Sequence, residues 1–219
     1  MLTLFEEVVL LTLNPKTGRL QHGKHDAIDV RYALAAAILF DLALEKRIDT
    51  DAQTITVIDA TPTGHAIHDS VLAGLAKRAE AQSVRQCIET VRHEHPDLEA
   101  DALASLIERG VISKQTRKAL GGLLSRDEFP LLDGAPRLSV VSRLAQAVLG
   151  SEIPDVRDIM LVSVAHACGL LELVLVPTQI EARQDWIDSL TRIETIARNL
   201  NEAIGDLYAD MARNMHFPL

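Results

Sequence analysis

Two histidines and an aspartate directly follow the turn-forming segment Thr-Pro-Thr-Gly at residues 61–64. His65, His68 and Asp69 have the spacing i, i+3, i+4, which places three side chains on one face of a helix. Such a face can bind a metal ion, but the His-Glu-x-x-His pattern is absent and no further ligand set of recognised form accompanies it. Gly64 permits the positive φ that a reversing chain needs. We therefore favour a structural turn over a reaction centre.

The chain shows no motif for nucleophilic or nucleotide chemistry. A Ser-His-Asp arrangement, a glycine-rich phosphate loop and a Cys-His pair are all missing. The two cysteines, Cys87 and Cys168, are far apart and lack metal-ligand spacing. We interpret both as small buried apolar residues of a protein in a reducing compartment. The prediction is a protein with no catalytic residues, no metal ligands and no cofactor.

The composition favours aliphatic helices and excludes nucleic acid as an expected partner. The 22 Lys and Arg against 31 Asp and Glu give a net charge of −9, which repels nucleic acid and anionic membranes on average. Aliphatic side chains must fill the core, because 47% of residues are apolar and only 3% are aromatic. Without a linker or low-complexity tract we expect one domain over residues 1–219. No signal peptide is visible, so we expect a cytoplasmic location.

The first part of the chain predicts two helices and a strand. Thr3 and Glu6 have the spacing of a capping box, so a helix should begin there and end at the turn of residues 14–18. Residues 29–47 predict a long helix that is apolar on nearly every face, which is typical of a helix surrounded by others. The alternating residues 54–58, Thr-Ile-Thr-Val-Ile, predict a short strand.

The remainder is again mostly helical. Residues 65–109 form helices with an interruption at Pro96, and Gly110 stands where a helix C-terminus favours glycine. Residues 119–134 predict a hairpin of two short apolar strands around a charged turn. Three further helices are expected, the last two with a break at Gly169 or near Asn199; they lie near residues 136–149, 155–176 and 181–215.

An apolar run at residues 159–176 is long enough to span a membrane. His166 and Glu172 stand inside it, and both are costly in hydrocarbon. We therefore expect this run in the core of a soluble protein.

Five blocks of the sequence stand out: residues 2–20, 39–48, 59–77, 106–112 and 161–175. In order and approximate spacing, these blocks resemble the Golgi phosphoprotein 3 family. The resemblance implies a mainly α fold of apolar central helices surrounded by amphipathic helices, with one or two short β-hairpins. The Ala- and Arg-containing, Lys-poor composition indicates a bacterial homologue. The blocks extend over nearly the whole chain.

The resemblance also implies a function. The family's eukaryotic members are peripheral membrane proteins of the Golgi that bind phosphatidylinositol 4-phosphate through a tryptophan and arginines, and they recruit the tails of glycosyltransferases. We accordingly expect a non-catalytic adaptor that associates peripherally with membranes and for which membrane-protein tails are a partner. Here Asp26 stands near the place of the tryptophan, and Ala35, Pro96 and Glu99 stand near the places of the arginines. The lipid-reading residues are thus missing, and acidic replacements work against phosphate binding.

Basic residues remain near the same region as candidates for an anionic lipid headgroup. Arg31 lies one helical turn before Ala35 and could point into the same pocket; an exposed arginine at a helix edge is the competing interpretation. The candidate set is Lys24, His25, Arg31 and Arg92.

The family also has a projecting hairpin that mediates self-association and presents apolar side chains to the membrane. Five apolar residues of the 120–132 hairpin flank a charged tip here: Leu123, Leu124, Phe129, Leu131 and Leu132. An exposed apolar patch of this kind usually binds a partner. We expect a homo-oligomer through this hairpin, and packing of these residues on their own domain is the competing interpretation.

A metal or small-ligand site is the alternative function, and it would allow an enzyme activity. The family's ligand pocket joins the segments 22–26 and 93–99. These segments hold side chains that bind metals in other proteins, although their spacing matches no known site. They are His22, His25, Asp26, His93, His95 and Glu99.

Overall fold

A computed structural model describes residues 1–21, 30–50, 54–78, 82–119 and 124–193. Within these residues the protein is mainly α-helical and has two small antiparallel sheets. The elements, in chain order, are α1 (Leu4–Thr12), α2 (Val30–Leu44), β1 (Ile48–Thr50), β2 (Thr54–Val57), α3 (Ala66–Ala76), β3 (Gln82–Ser83), α4 (Val84–Glu94), α5 (Leu98–Glu108), β4 (Gln115–Ala119), β5 (Leu124–Glu128), α6 (Ala135–Leu149), α7 (Val156–Ala167), α8 (Pro177–Ala182) and α9 (Gln184–Ile193).

Helix α1 begins with the predicted capping box. The Thr3 hydroxyl accepts a hydrogen bond from the Glu6 backbone N–H at 3.2 Å, and the Glu6 carboxylate accepts one from the Thr3 backbone N–H at 2.8 Å. All residues of α1 are buried, including both of its glutamates. The helix ends before the predicted turn, in which Gly18 has a φ of +66°.

Helix α2 is the centre of the fold. Its residues 32–42 are all buried, and it contacts α1, α3, α4, α5, α7 and β1. The prediction of an apolar helix enclosed by others is therefore confirmed. Three consecutive alanines, at residues 35–37, lie in its middle and are completely buried. Because alanine is small, neighbouring helices can approach this part of α2 closely.

The strand predicted at residues 54–58 is confirmed as β2. It pairs antiparallel with β1, Ile48 opposite Val57, and with β3, Ile55 opposite Gln82. Its alternation places Ile55 in the core, whereas Ile58, the last residue of the predicted strand, is exposed after its end.

The hairpin of β4 and β5 differs from the prediction in its strands and its turn. The two strands pair antiparallel along their full length, so residues 120–123 connect them. The expectation of apolar strands around a charged turn is wrong, because the charged residues 126–128 lie within β5. Side chains along both strands are largely exposed, so polar residues are tolerated there.

The helical stretch at residues 65–109 is confirmed as α3, α4 and α5. The two-residue strand β3 interrupts it in addition to the predicted break at Pro96. Gly110 follows α5 with a φ of +69°, as its position predicts.

The later helices agree with the prediction in part. Helix α6 matches the predicted range, and α7 ends at Ala167 because the chain turns at Gly169, which has a φ of +67°. The helix expected at residues 181–215 begins earlier, with α8, and breaks at Arg183, whose guanidinium donates hydrogen bonds to the carbonyls of Val148 and Gly150. Asn199 lies outside the described residues.

The apolar run at residues 159–176 is divided by the turn at Gly169. Residues 159–165 of α7 are buried, and a single 3-10 turn, Leu171–Leu173, follows the break. Among the helices of the described residues, none combines the length and the apolar content that a membrane crossing requires.

Candidate functional site

The segment that could have held a catalytic or metal site is a structural junction. His68 is 1% exposed and its Nε2 lies 3.1 Å from Oδ2 of Asp41, which is 4% exposed. The same carboxylate accepts hydrogen bonds from the backbone N–H groups of Leu4 at 2.8 Å and Phe5 at 3.0 Å. The Asp41 carboxylate of α2 thus accepts hydrogen bonds from the backbone N–H groups in the first turn of α1 and from a side chain of α3. The structural interpretation is confirmed for His68.

Asp69 organises the turn before α3. Its Oδ1 accepts hydrogen bonds from the Thr63 backbone N–H at 2.6 Å and from the Thr63 hydroxyl at 2.7 Å. Gly64 has the predicted positive φ, +89°. His65 is half-buried at the N-cap position of α3 and makes no side-chain cap hydrogen bond. The segment therefore acts as a turn, and within the described residues no three metal-ligating side chains converge.

The two buried glutamates of α1 have different partners. Glu7 Oε1 lies 2.7 Å from Arg143 Nη2 and 3.2 Å from Arg157 Nη2. Burial raises the pKa of Glu7 despite these two guanidinium groups. Glu6 accepts a hydrogen bond from the Ser105 hydroxyl at 2.6 Å, and its Oε2 lies 3.4 Å from Arg109 Nη1. These pairs fasten α1 to α5, α6 and α7 at one end of the fold.

The lipid candidate Arg92 is already engaged by neighbouring side chains. Its guanidinium lies 4.6 Å from the centroid of the Tyr32 ring, and its Nη2 is 3.1 Å from Glu89 Oε2. The Tyr32 hydroxyl is 3.5 Å from the other oxygen of Glu89. A phosphate could bind Arg92 only in competition with the Glu89 carboxylate, and it would meet that carboxylate's charge.

The other lipid candidates give no assembled phosphate site. Arg31 is half-buried in the first turn of α2, whereas Ala35, one turn later, is completely buried. Lys24 and His25 lie outside the described residues. At the start of α5, Pro96 is exposed. Headgroup binding by these residues stays a prediction.

The histidines of the alternative metal site are only partly described. His93 is exposed at the end of α4 and His95 is half-buried at its C-cap. His22, His25 and Asp26 fall outside the described residues. Convergence of these segments therefore stays untested.

The β4–β5 hairpin is fastened to the fold at its base. Glu128, 6% exposed, lies 3.3 Å from Arg19 Nε and 2.6 Å from Arg117 Nε. Beside this base, a Cβ on Gly18 would come within 2.7 Å of the Pro130 backbone nitrogen. The close approach and the positive φ together explain why glycine occupies this turn. The hairpin thus starts from a fixed base.

The end of the hairpin distant from this base is strongly basic. Arg117 and Arg126 are directly opposite each other across the strands, and the Glu128 carboxylate that pairs with Arg117 offsets part of their repulsion. Lys118 and Arg126 pair with no carboxylate of the described residues. All three side chains are exposed. Residues 117–126 contain three cations and no acidic residue, in a chain with a net charge of −9.

Comparison with known proteins matches residues 4–211 to Golgi phosphoprotein 3 (GPP34). The protein belongs to the Golgi phosphoprotein 3 family. It is also similar to the vacuolar protein sorting-associated protein 74 of Eremothecium gossypii, with 24% identity over 217 aligned positions that cover 83% of this chain. The chain spans 64% of the length of that relative. A bacterial source stays a prediction.

The apolar residues expected to flank the tip of this family's hairpin are distributed differently here. Phe129 and Leu131 are half-buried and pack against the core. Leu132 is 65% exposed, beyond the end of β5. Leu124 is the first residue of β5, and Leu123 lies outside the described residues. The expectation that these residues flank a charged tip is wrong, because the charges lie in the strands.

Sequence reasoning missed the basic end of the hairpin. The candidate residues stand at positions carried over from the Golgi phosphoprotein 3 family, and the predicted hairpin at residues 119–134 includes Arg126 but neither Arg117 nor Lys118. A local signal existed, because ten acid-free residues with three cations stand out in an acidic chain.

Proposed function

We propose that the protein is a non-catalytic adaptor that associates peripherally with anionic membranes through the β4–β5 hairpin. Membership of the Golgi phosphoprotein 3 family supports an adaptor role. The name of the relative from Eremothecium gossypii, which refers to vacuolar protein sorting, supports a role in sorting membrane proteins. In this role membrane-protein tails are the cargo, and the location is the cytoplasmic face of a membrane.

The basic end of the hairpin is the observation that carries this proposal. Lys118 and Arg126 are exposed and pair with no carboxylate of the described residues, whereas Arg117, also exposed, pairs with Glu128. A lysine or arginine near an anionic membrane surface contributes about 1 kcal/mol each. Together these groups suit a charged surface covered with lipid headgroups.

Recognition of a single phosphoinositide headgroup has less support. The Arg92 guanidinium already forms an ion pair with the Glu89 carboxylate. Ala35, which stands near the place of a family arginine, is buried in the core. The proposed association is therefore electrostatic and depends on the surface charge of the membrane. It should weaken as salt rises, because exposed charges are screened within about 10 Å at 0.1 M ionic strength.

Vesicle flotation tests the proposal. The protein is mixed at low salt with vesicles of phosphatidylcholine alone, or of phosphatidylcholine with phosphatidylserine or with phosphatidylinositol 4-phosphate. We expect flotation with both kinds of anionic vesicle, retention of that binding by Arg92→Ala, and release by added salt. Binding to the phosphoinositide vesicles alone, lost in Arg92→Ala, would assign membrane association to a headgroup pocket. No flotation with any vesicle would refute the membrane association.

A further inference from the structure

Three arginines lie around one buried carboxylate beside the base of the β4–β5 hairpin. Glu128 is 6% exposed; its Oε1 lies 3.3 Å from Arg19 Nε and its Oε2 lies 2.6 Å from Arg117 Nε. Arg126 is directly opposite Arg117 and two residues before Glu128 in β5. Because alternate residues of a strand share a face, Arg117, Arg126 and Glu128 lie on the same face of the hairpin.

Glu128 holds its two arginines by their Nε atoms only. Within the described residues, no hydrogen bond or ion pair engages the terminal Nη groups of Arg19 or Arg117. These two side chains are 50% and 73% exposed. The buried carboxylate therefore orients two guanidinium groups and leaves their Nη groups available to a ligand. A guanidinium that is already held in place loses less conformational freedom when it binds an anion.

The backbone fixes Arg19 relative to the hairpin. Its carbonyl accepts a hydrogen bond from the Asn14 N–H at 2.8 Å, within the turn that precedes the bridge between Leu13 and Leu20. The preceding carbonyl, that of Gly18, accepts a hydrogen bond from the Phe129 N–H, directly after β5. The three arginines thus come from two segments that are joined by their main chains, and the cluster is formed before any ligand arrives.

The cluster has an excess of two positive charges. Three guanidinium groups surround one carboxylate, and Arg126 pairs with no acidic residue of the described chain. Asp127 belongs to the opposite face, where its carboxylate lies 2.8 Å from Lys114 Nζ and accepts a hydrogen bond from the Thr116 hydroxyl. Arg92 differs, because one arginine there meets one carboxylate and no charge is left over.

We propose that Arg19, Arg117 and Arg126 bind a phosphomonoester group, with Glu128 as their positioning residue. A phosphomonoester carries a charge of about −1.5 to −2 at pH 7 and has three terminal oxygens, which matches the charge and the number of the arginines. Each guanidinium can donate paired N–H groups to these oxygens. This inference rests on the proposed membrane association of the hairpin and names the chemical group that the hairpin binds. It also adds Arg19, a residue outside the hairpin.

Vesicle partitioning at low salt tests this site. Vesicles that contain phosphatidic acid, whose headgroup is a phosphomonoester, are compared with phosphatidylserine vesicles of equal zeta potential. We expect the unchanged protein to bind the phosphatidic acid vesicles at least about tenfold more tightly, because charge-assisted hydrogen bonds add to the attraction by surface charge. Arg19→Lys and Arg117→Lys keep the charge but lose the paired N–H groups. Each should lose most of this preference and still bind phosphatidylserine.

Two further variants separate positioning from charge. Arg192→Lys is the matched control at an exposed arginine of α9, and it should keep the full preference. Glu128→Gln removes the orienting carboxylate and makes the hairpin more positive. It should therefore bind phosphatidylserine vesicles at least as tightly as the unchanged protein while its preference for phosphatidic acid falls. Circular dichroism should show all variants folded.

Calorimetry with glycerol 3-phosphate, and with dimethyl phosphate as the phosphodiester control, distinguishes a soluble phosphate from a lipid headgroup. Glycerol 3-phosphate binding that Arg19→Lys abolishes, without partitioning into any vesicle, would support the phosphate site and refute the membrane association. Equal partitioning into the two kinds of vesicle, or a preference that survives in both Arg19→Lys and Arg117→Lys, would overturn the phosphate site and leave the membrane association standing. Absence of binding to both vesicles and glycerol 3-phosphate would overturn both.

Discussion

Nε2 of His68 and Oδ2 of Asp41 are 3.1 Å apart in the protein interior, joining residues that are 27 positions apart in the sequence. Asp41 stands among apolar residues near the end of helix α2, and it also accepts hydrogen bonds from the backbone N–H groups of Leu4 and Phe5. One carboxylate therefore fixes the relative positions of α1, α2 and α3. The first turns of α1 and α3 are held in place by this contact.

The first prediction concerns this carboxylate. An asparagine at residue 41 keeps one acceptor oxygen and turns an N–H₂ group toward buried donors. Asp41→Asn should therefore lower the free energy of unfolding by about 3 kcal/mol, measured by urea denaturation. The control Asp49→Asn removes an exposed carboxylate of β1 and should change it by less than about 0.5 kcal/mol. Similar losses in both variants would contradict the role of Asp41.

The second prediction compares two glycines with positive φ. At Gly64 a Cβ meets nothing within 4 Å, whereas at Gly18 it would lie 2.7 Å from the Pro130 backbone nitrogen. Gly64→Ala should cost about 1–2 kcal/mol of unfolding free energy through its backbone conformation alone. Gly18→Ala should cost about 1–3 kcal/mol more, because the hairpin base must also move. Equal costs in urea denaturation would show that the turn does not contact the hairpin base.

The third prediction concerns the two thiols. Burial raises the pKa of Cys87 to about 11 and that of Cys168 to about 12, from an ordinary value of 9.0. Between pH 9 and about 11 the unfolded chain loses thiol protons that the folded chain keeps, so the free energy of unfolding should fall as pH rises.

Urea denaturation across this pH range measures the effect. The double variant Cys87→Ala/Cys168→Ala should show a smaller fall than the unchanged protein. Ellman's reagent at about pH 8 should react slowly with the folded protein and fully with the unfolded one. Rapid reaction of both thiols in the folded protein would contradict their burial.

The fourth prediction concerns self-association through the 120–132 hairpin. Leu132 is 65% exposed, and Leu138 of α6, outside this hairpin, is 67% exposed. Light scattering should give a multiple of the 24.0 kDa chain mass, and Leu132→Asp should reduce it toward one chain mass. Leu138→Asp should leave the oligomer intact. A single-chain mass at every protein concentration would refute the homo-oligomer.

The features that follow from local sequence could be predicted. The capping box at Thr3 and Glu6 needs only residues three apart, and the enclosed position of α2 follows from its apolar residues on every face. The turn at Gly64 follows from its residue types in the same way. Such local patterns predict the structure correctly where the tertiary contacts favour the same conformation.

The features that depend on long-range pairing could not be predicted as well. The contact between Asp41 and His68 has no local signature, although an aspartate in an apolar helix does indicate a buried partner. The hairpin strands are polar because they are exposed, so the alternation expected of a half-buried strand is missing.

The central claim, membrane association through the basic hairpin, is tested most directly by reversing its charges. Lys118→Glu/Arg126→Glu is compared with Lys77→Glu/Arg192→Glu, which reverses two exposed cations elsewhere. A glutamate at residue 126 would face Arg117, so the hairpin should remain folded.

Partitioning into phosphatidylserine-containing vesicles at low salt is the measurement. The hairpin variant should bind at least about tenfold more weakly than the unchanged protein, because each lost cation removes about 1 kcal/mol. Reversing the two distant cations should have a much smaller effect. Equal losses in the two variants, or full binding by the hairpin variant, would contradict the account.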